Sequence, residues 1–315
     1  MSNLDRDLIV VIRSSGERTE EMCRKLVLRE ISADRVHVVR QFPFESTLRA
    51  SYTIGGNSDA KWMMTIDADV LLRMGAIQDF LSEAEQLPDH FFHTEGLIYD
   101  KLTGRYRKAG HRMYRTSMLG KALDLIPELG SEIRPEFTTV NRMADAGHLS
   151  RETSTIYGIH DFEQFYEDVY RKCFVHARKH RDWVGGLISY WQSNLNDTDF
   201  RVALRALYDG LTMDTHISID KRLFSDLASQ AMIDLSLTEK DTPSDYLQME
   251  QLVNEVLNRV GPVPDDQKPG DILTPIPGRK EFFKNLIAQK GYVGSIKYLM
   301  GLRLNRIGKR WMGQE

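Results

Sequence analysis

The chain has 315 residues, 41% of them hydrophobic and 28% charged, an ordinary globular profile with a formal net charge of −3. Its two cysteines, Cys23 and Cys173, lie far apart and show no metal-binding or redox spacing, which excludes a disulfide-rich scaffold and favours two reduced thiols. The first residues lack a signal-peptide pattern, and no apolar run reaches the ~20 residues of a membrane-spanning helix, so a cytoplasmic protein is expected.

Short apolar runs alternate with amphipathic segments over the first 90 residues, which predicts a parallel sheet wound with helices. Thr19 is in a position to cap the first of these helices. The last two predicted strands flank a turn at residues 101–104 and are expected to pair as a hairpin, so the sheet is predicted to be mixed. Strands are predicted at residues 8–12, 36–39, 62–66, 91–99 and 105–114, and helices at residues 20–30, 45–54 and 74–86.

The second half of the chain, from residue 162, has a mostly helical pattern. We predict two parts, residues 1–235 and a helical C-terminal region at residues 236–315. Within the second part, residues 261–280 hold five of the ten prolines and read as a linker or an irregular loop.

The C-terminal tail, residues 281–315, is basic and amphipathic. Eight basic residues against two acidic ones give residues 280–315 a net charge of +6, while the first 279 residues sum to −9. A basic amphipathic helix can lie in a membrane interface and bind anionic lipid, which predicts peripheral attachment to the inner membrane face. The alternative is a helix that packs its basic face on the acidic body.

Two aspartates stand in an unexpected place within the segment KWMMTIDADVLL, where Asp67 and Asp69 directly follow an apolar strand. Ligands of open α/β sheets bind beyond the carboxyl ends of the strands, and paired carboxylates can hold a hard divalent cation. Two other Asp-x-Asp triplets, Asp5/Asp7 and Asp197/Asp199, have no such context and are expected to serve as caps or surface ion pairs.

The order LIVVIRSSGERT, VHVVRQF and KWMMTIDADVLL resembles the nucleotide-sugar-dependent glycosyltransferases of the GT-A fold, of the family 2 type. The resemblance covers roughly residues 7–165 and rests mainly on the Asp-x-Asp strand end. It implies a Rossmann-like mixed sheet, a UDP- or GDP-sugar donor, and Mn²⁺ or Mg²⁺ as the cofactor.

Carried over by position, the resemblance assigns roles to residues that follow the strands. Asp67 would contact the ribose or the metal, and Asp69 would ligate the metal. Arg13, Ser14 and Arg18 would face the nucleotide, and Arg49 would reach the donor diphosphate. The segment after the second strand, RQF at residues 40–42, lacks the acidic residue that often reads the base, which leaves the base open.

A histidine ligand from late in the domain is also typical of this fold. His160 ends the apolar run TIYGIHD, so the resemblance makes it a third metal ligand, with Asp161 capping the next helix. The alternative is a histidine that is hydrogen-bonded near a helix start. His148 and His216 are weaker candidates for the ligand.

The catalytic base of an inverting enzyme would be a carboxylate. Glu136 occupies the place that resembles the position of this acid, and Glu132 and Glu95 compete with it. A carboxylate favoured by a helix N-terminus is the alternative for each. A basic cluster could bind a phosphate group of the donor or acceptor, or lie partly in solvent; it comprises Arg105, Arg107, Lys108, His111, Arg112 and Arg115.

The sequence thus predicts a metal-dependent glycosyltransferase that transfers a sugar to a saccharide or lipid-linked acceptor, as in bacterial-type surface glycan synthesis. No nucleic-acid partner is expected. The alternatives are a nucleotidyltransferase and a non-catalytic nucleotide-binding protein of the same fold. The loop RSSGERT, with one glycine and no lysine, disfavours a triphosphate substrate.

Overall fold

A computed structural model describes residues 3–132, 134–179, 184–213 and 220–269. The strands are β1 Leu8–Arg13, β2 Val36–Val39, β3 Trp62–Asp67, β4 Val70–Leu72, β5 Phe91–Asp100, β6 Arg105–Arg107, β7 His111–Arg115 and β8 Leu149–His160. The helices are α1 Asn3–Asp7, α2 Glu20–Val27, α3 Phe44–Gly56, α4 Ala76–Glu85, α5 Leu119–Asp124, α6 Pro135–Asp145, α7 Tyr166–Lys179, α8 Val184–Gln192, α9 Thr198–Thr212, α10 Ser225–Asp234 and α11 Tyr246–Val260.

These strands form one eight-stranded sheet in the order β2-β1-β3-β7-β5-β8-β4, with β6 paired to β5. β1 is parallel to β2 and β3, whereas β7 runs antiparallel to β3 and β5. The predicted fold class, a mixed sheet wound with helices and followed by a mostly helical region, is confirmed. The predicted return strand at residues 105–114 is divided into β6 and β7, because Gly110 turns the backbone with φ of +69°.

The backbone pairing of the strands makes several charged residues neighbours in the sheet. Arg13 is the partner of Asp67 at the ends of β1 and β3. β4 pairs antiparallel with β8, so that Val70 lies opposite His160, and β5 pairs with β8 so that Asp100 also lies opposite His160. The short turn between Asp67 and Val70 therefore lies beside the end of β8.

Alternate residues of the buried strands contribute to the cores on opposite faces of the sheet, as the period of a strand requires. Val10 and Met64 pack with α2, α4 and α11, whereas Val11 and Met63 pack with α3, α5 and α6. A separate core lies among α7, α8, α9 and α10.

The C-terminal region is described only as far as residue 269, so the basic tail and most of the proline-rich segment lie outside the described residues. α11 packs into the same core as β1 and β3 through Met249, Val253 and Val256. The boundary at residue 235 stays a prediction. None of the helices in the described ranges is long and apolar enough to cross a membrane.

Candidate active site

The aspartate turn between β3 and β4 is anchored to the neighbouring strand. The Ala68 amide donates to the Arg13 carbonyl at 2.9 Å, and the Arg13 Nε donates to Asp67 Oδ1 at 2.7 Å. The Arg13 side chain is buried, but 31% of the Asp67 side chain remains exposed. Burial raises the pKa of Asp67, Arg13 opposes this, and the charges of Asp69 and Glu136 add to the rise, to about 6. Asp67 thus presents a partly exposed carboxylate at the edge of the sheet.

Asp69 points the other way, into a buried cluster with His160, Asp161 and Lys172. Its Oδ1 lies 3.3 Å from His160 Nε2, and its Oδ2 accepts a hydrogen bond from the Lys172 ammonium. The same ammonium donates to Asp161 Oδ1. Burial would raise the pKa of Asp69, but the charges of Lys172 and His160 outweigh burial and lower it well below its ordinary value.

His160 is held from its other ring nitrogen by two further carboxylates. Its Nδ1 lies 2.7 Å from Asp100 Oδ2 and 3.1 Å from Asp161 Oδ2. Burial lowers the pKa of His160, but the charges of Asp161 and Asp69 outweigh burial and raise it well above its ordinary value. Arg107 completes the arrangement by donating from Nε to Asp100 Oδ2 at 2.7 Å.

Three residues of this cluster, Asp100, Lys172 and Asp161, were not predicted from the sequence as site residues. Asp100 could have been predicted, because it ends β5 as Asp67 ends β3. Lys172 carried only the weak signal of a lysine beside the apolar stripe of α7. Asp161 was predicted to cap the following helix, but this is wrong: α7 begins at Tyr166, and Asp161 adopts φ of +63° and pairs with His160 and Lys172. The α7 amides donate instead to the Glu239 carboxylate.

The ligand types of Asp69, His160 and Asp161 suit a divalent cation, and one ligand atom from each lies within 4.8 Å of the others. Asp67 is not in this group, because its carboxylate turns to Arg13. The Lys172 ammonium, however, is already bonded to both carboxylates of the group. As they stand, these residues do not fit an added divalent ion together with Lys172, because the ammonium already bonds one oxygen of each carboxylate and its charge would repel a second cation bound to the same two groups.

Glu136 lies in the first turn of α6 and is buried among cations. It accepts from Arg13 Nη1 at 2.5 Å and from the Tyr114 hydroxyl at 2.7 Å, and it also pairs with Arg112. Burial would raise the pKa of Glu136, but Arg112, Arg13 and the Tyr114 hydrogen bond outweigh burial and lower it to about 2. A carboxylate held in this way is a weak proton acceptor, so its environment does not suit the predicted catalytic base.

The two competing carboxylates are placed differently. Glu95 is buried, 3.0 Å from Arg112 Nε and 3.9 Å from Lys108 Nζ, whereas Glu132 is exposed. Glu95 and Glu136 therefore share Arg112, and both carboxylates are already engaged in ion pairs.

The depressed pKa of Glu136 predicts how stability depends on pH. The pKa falls from an ordinary 4.5 to about 2 on folding, so the stabilisation is complete above 4.5 and is lost as the pH falls from 4.5 towards 2. The shift corresponds to roughly 3 kcal/mol at neutral pH. We expect the difference in unfolding free energy between the wild type and Glu136→Gln to narrow between about pH 5 and about pH 3, measured by urea titration. A difference that stays constant over this range would contradict the assigned ion pairs.

The loop after β1 contains two more of the predicted nucleotide-binding residues. The Ser14 amide donates to the Val39 carbonyl, and its hydroxyl donates to Glu17, both at 2.9 Å. Arg18 donates to the Glu163 carboxylate at 2.7 Å and to the Asp241 carbonyl at 2.7 Å. Ser14 follows the strand end beside Asp67, whereas Arg18 joins this loop to the chain that follows β8 and α10.

Thr19 does not cap α2 with its side chain, contrary to the prediction. Its hydroxyl donates instead to the Ala68 carbonyl at 2.9 Å, and the Gln164 amide donates to the same hydroxyl at 3.1 Å. Thr19 therefore ties the start of α2 to the aspartate turn.

Arg49 is not brought to the aspartates by any contact within the described residues. Its guanidinium donates to the carbonyls of Leu123 and Ile126, each at 3.3 Å, on the other face of the sheet. His148 lies against Lys121, and His216 is outside the described residues.

Most of the basic cluster is also engaged within the protein. Arg107 and Arg112 serve the buried carboxylates described above, and Lys108 pairs with Glu152. Arg105 pairs with Asp266. Arg115 donates to backbone carbonyls and lies 4.4 Å from the Trp62 ring. These contacts do not support the predicted phosphate-binding patch.

Comparisons with known proteins found no matching family model. They also found no matching curated protein. Solved structures do show likeness in fold, and they include glycosyltransferases. A mannosyltransferase, PcManGT from Pyrobaculum calidifontis, in complex with GDP-Man and Mn²⁺, is 10% identical with a TM-score of 0.38, covering 82% of this chain and 83% of its own.

Two further structures match about half of this chain. A glycosyltransferase involved in glycosylation of the major capsid of PBCV-1 is 13% identical with a TM-score of 0.33, covering 47% of this chain and 82% of its own. CMP:2-keto-3-deoxy-manno-octonic acid synthetase, complexed with CTP, is 11% identical with a TM-score of 0.34, covering 49% of this chain and 92% of its own. TM-scores this low support no conclusion about the substrate or the metal of this protein.

Proposed function

We propose that this protein is a glycosyltransferase that takes a sugar from a UDP- or GDP-sugar donor. The observation that carries the proposal is the aspartate turn at the carboxyl end of β3, with Arg13 on one side and His160 on the other. A turn of this kind lies where α/β sheets bind nucleotides. Its two carboxylates are also divided by role, since Asp67 is partly exposed and Asp69 is buried.

In this proposal, the exposed Asp67 carboxylate accepts hydrogen bonds from the ribose hydroxyls of the donor. Arg13 fixes the orientation of that carboxylate, because its guanidinium is locked between Asp67 and Glu136. Ser14 and Arg18 follow β1 and face the nucleotide. Lys172, His160 and Arg107 neutralise the three carboxylates of Asp69, Asp161 and Asp100, so this cluster adds no net negative charge against the departing diphosphate.

Metal dependence and the catalytic base are the two points at which the proposal differs from the resemblance. The predicted use of Mn²⁺ or Mg²⁺ stays a prediction, and the bonds of Lys172 to Asp69 and Asp161 weigh against it. Glu136 also stays a prediction as the base, and its pKa of about 2 weighs against it.

The acceptor is proposed to be a saccharide or a lipid-linked saccharide. The protein is proposed to be cytoplasmic. Attachment to the inner membrane face would depend on the basic tail, which lies outside the described residues. Membrane attachment is therefore a proposal from the sequence alone.

Donor binding is expected to raise the melting temperature of the protein. A panel of UDP-, GDP- and CMP-sugars and nucleoside triphosphates, each with EDTA or Mn²⁺, would be compared by thermal shift. A ligand at 100 times its Kd stabilises the folded state by about 2.7 kcal/mol, so one UDP- or GDP-sugar should produce a clear shift. Asp67→Asn should reduce that shift, because the amide loses the charge of the proposed ribose acceptor.

Each other outcome of the panel would select another function. Stabilisation by triphosphates alone would favour a nucleotidyltransferase. A shift without sugar transfer to any saccharide or lipid-linked acceptor would favour a non-catalytic nucleotide-binding protein. The absence of any shift would overturn the proposed nucleotide site.

A further inference from the structure

A lysine on α7 occupies the centre of the acidic cluster. Lys172 is only 14% exposed in its side chain, and its Nζ donates both to Asp69 Oδ2 and to Asp161 Oδ1. These two carboxylates come from different elements, the turn after β3 and the turn after β8. The ammonium therefore bridges two segments that are 92 residues apart in sequence.

A single bridging cation is what this pair of carboxylates requires. Two buried carboxylates close to one another repel each other strongly unless a positive charge lies between them. An ammonium is a compact point charge with several N–H donors, so it can bond one oxygen of each carboxylate, as a small cation would. Arg107 meets the same requirement for Asp100.

The other two carboxylate oxygens lie against the His160 ring, and Asp69 Oδ1 makes no hydrogen bond there. Asp161 Oδ2 faces His160 Nδ1, and Asp69 Oδ1 faces His160 Nε2. Each of the two carboxylates thus has one oxygen directed to Lys172 and the other to His160. An added divalent ion could gain both carboxylates as ligands only by displacing the ammonium or by reorganising the ring.

We propose that Lys172 is the built-in cation of this site, and that its ammonium and a divalent metal ion exclude each other at Asp69 and Asp161. The protein then assembles the aspartate turn without a metal. The proposal goes beyond the proposed transferase function, because it concerns the cation that the site contains and not the group that is transferred.

The test is direct measurement of Mn²⁺ binding to the purified protein by calorimetry and by loss of the free-Mn²⁺ EPR signal. We expect Lys172→Met to bind Mn²⁺ at least ~10-fold more tightly than the wild type, a difference of about 1.4 kcal/mol. Mn²⁺ should also raise the melting temperature of this variant but not that of the wild type. Lys172→Arg retains the charge and should keep the weak binding of the wild type.

Lys240→Met is the matched control. Lys240 pairs with the buried carboxylate of Asp199, and Asp199 also pairs with Lys101. The loss of Lys240 therefore leaves Asp199 with one cationic partner. In the same way, the loss of Lys172 leaves Asp69 and Asp161 with His160. This variant removes the same charge without touching the cluster, so its Mn²⁺ binding should equal that of the wild type.

Equal Mn²⁺ affinity of the wild type and Lys172→Met would overturn the proposal, as would a folded Lys172→Met protein that binds no Mn²⁺. If Lys172→Met does not fold, Lys172→Gln would be used in its place, since glutamine is uncharged, polar and only one atom shorter than lysine. The wild type also provides a test without any Lys172 variant, because tight Mn²⁺ binding that disappears in Asp69→Asn would equally overturn the proposal. The readout is metal binding, so failure of the transferase proposal would not affect it.

Discussion

Glu136→Gln is expected to destabilise the protein by roughly 3 kcal/mol, the cost of breaking a buried ion pair from one side. The amide retains the shape of the carboxylate but removes the negative charge that Arg13 and Arg112 share. The Arg13 side chain is buried and only 16% of the Arg112 side chain is exposed, so water replaces little of the lost interaction. Equilibrium unfolding in guanidinium chloride would give the free energy of unfolding of the variant and of the wild type.

Glu132→Gln is the control for this experiment, because it makes the same chemical change four residues away on an exposed side chain. Its effect should lie within about 0.5 kcal/mol. If Glu136→Gln were as stable as the wild type but lost sugar transfer, the ion-pair assignment would fail and the catalytic-base prediction would regain support.

Gly158→Ala is expected to destabilise the protein by roughly 3 kcal/mol or more, because the new methyl group would meet main chain and not a movable side chain. Gly158 is paired with Leu72 in the β4–β8 ladder. A Cβ there would overlap the Leu71 carbonyl oxygen and come within 3.0 Å of the Leu71 carbonyl carbon and the Leu72 Cα. The two strands would have to separate, which would also move Asp69 from His160. Thermal and guanidinium unfolding would measure the loss.

Gly120→Ala makes the same substitution where there is space, and serves as the control. Gly120 lies in α5, and a Cβ there has no heavy atom within 4 Å. Alanine should stabilise that helix by about 0.5–1 kcal/mol relative to glycine. If the two alanine variants had equal stability, the close approach of β4 to β8 at Gly158 would be wrong.

Much of the fold could be predicted because its first strands carry local signals. The β-branched run of β1 and the apolar run that ends at Asp67 identify buried strands, and the segments between them have helical periodicity. The resemblance assigned both Arg13 and Asp67 to the nucleotide site because each follows a predicted strand, and the register of β1 with β3 makes the two residues neighbours.

The partners of the buried charges could not be predicted, because they depend on side-chain contacts between distant segments. Glu136 was singled out for its position at a helix start, a local feature that does not reveal Arg13, 123 residues away. His160 was identified from the end of an apolar run, but its partner Asp100 becomes visible only through the pairing of β5 with β8.

Lys172 shows the same limit most clearly. Helical periodicity assigns it to the side of α7 next to the apolar stripe, where a lysine usually extends its charge into water. Only the packing of α7 against the turns after β3 and β8 directs the ammonium inward. The Asp-x-Asp pattern alone therefore predicts a metal site. It gives no sign of the Lys172 ammonium, because that cation comes from α7, a helix outside the pattern.

The position of β4 at one end of the strand order makes this site a late product of synthesis on the ribosome. β4 is complete at residue 72, but it pairs with β8, which is not complete until residue 160, and Lys172 follows later still. The core that contains β4 is complete only after Met249 and Val253 of α11 have been synthesised. At roughly 5–20 residues per second, the nascent chain carries an unpaired apolar strand and an unneutralised aspartate for several seconds. Cellular factors that shield nascent chains would therefore matter most to this protein between the emergence of β4 and the emergence of α11.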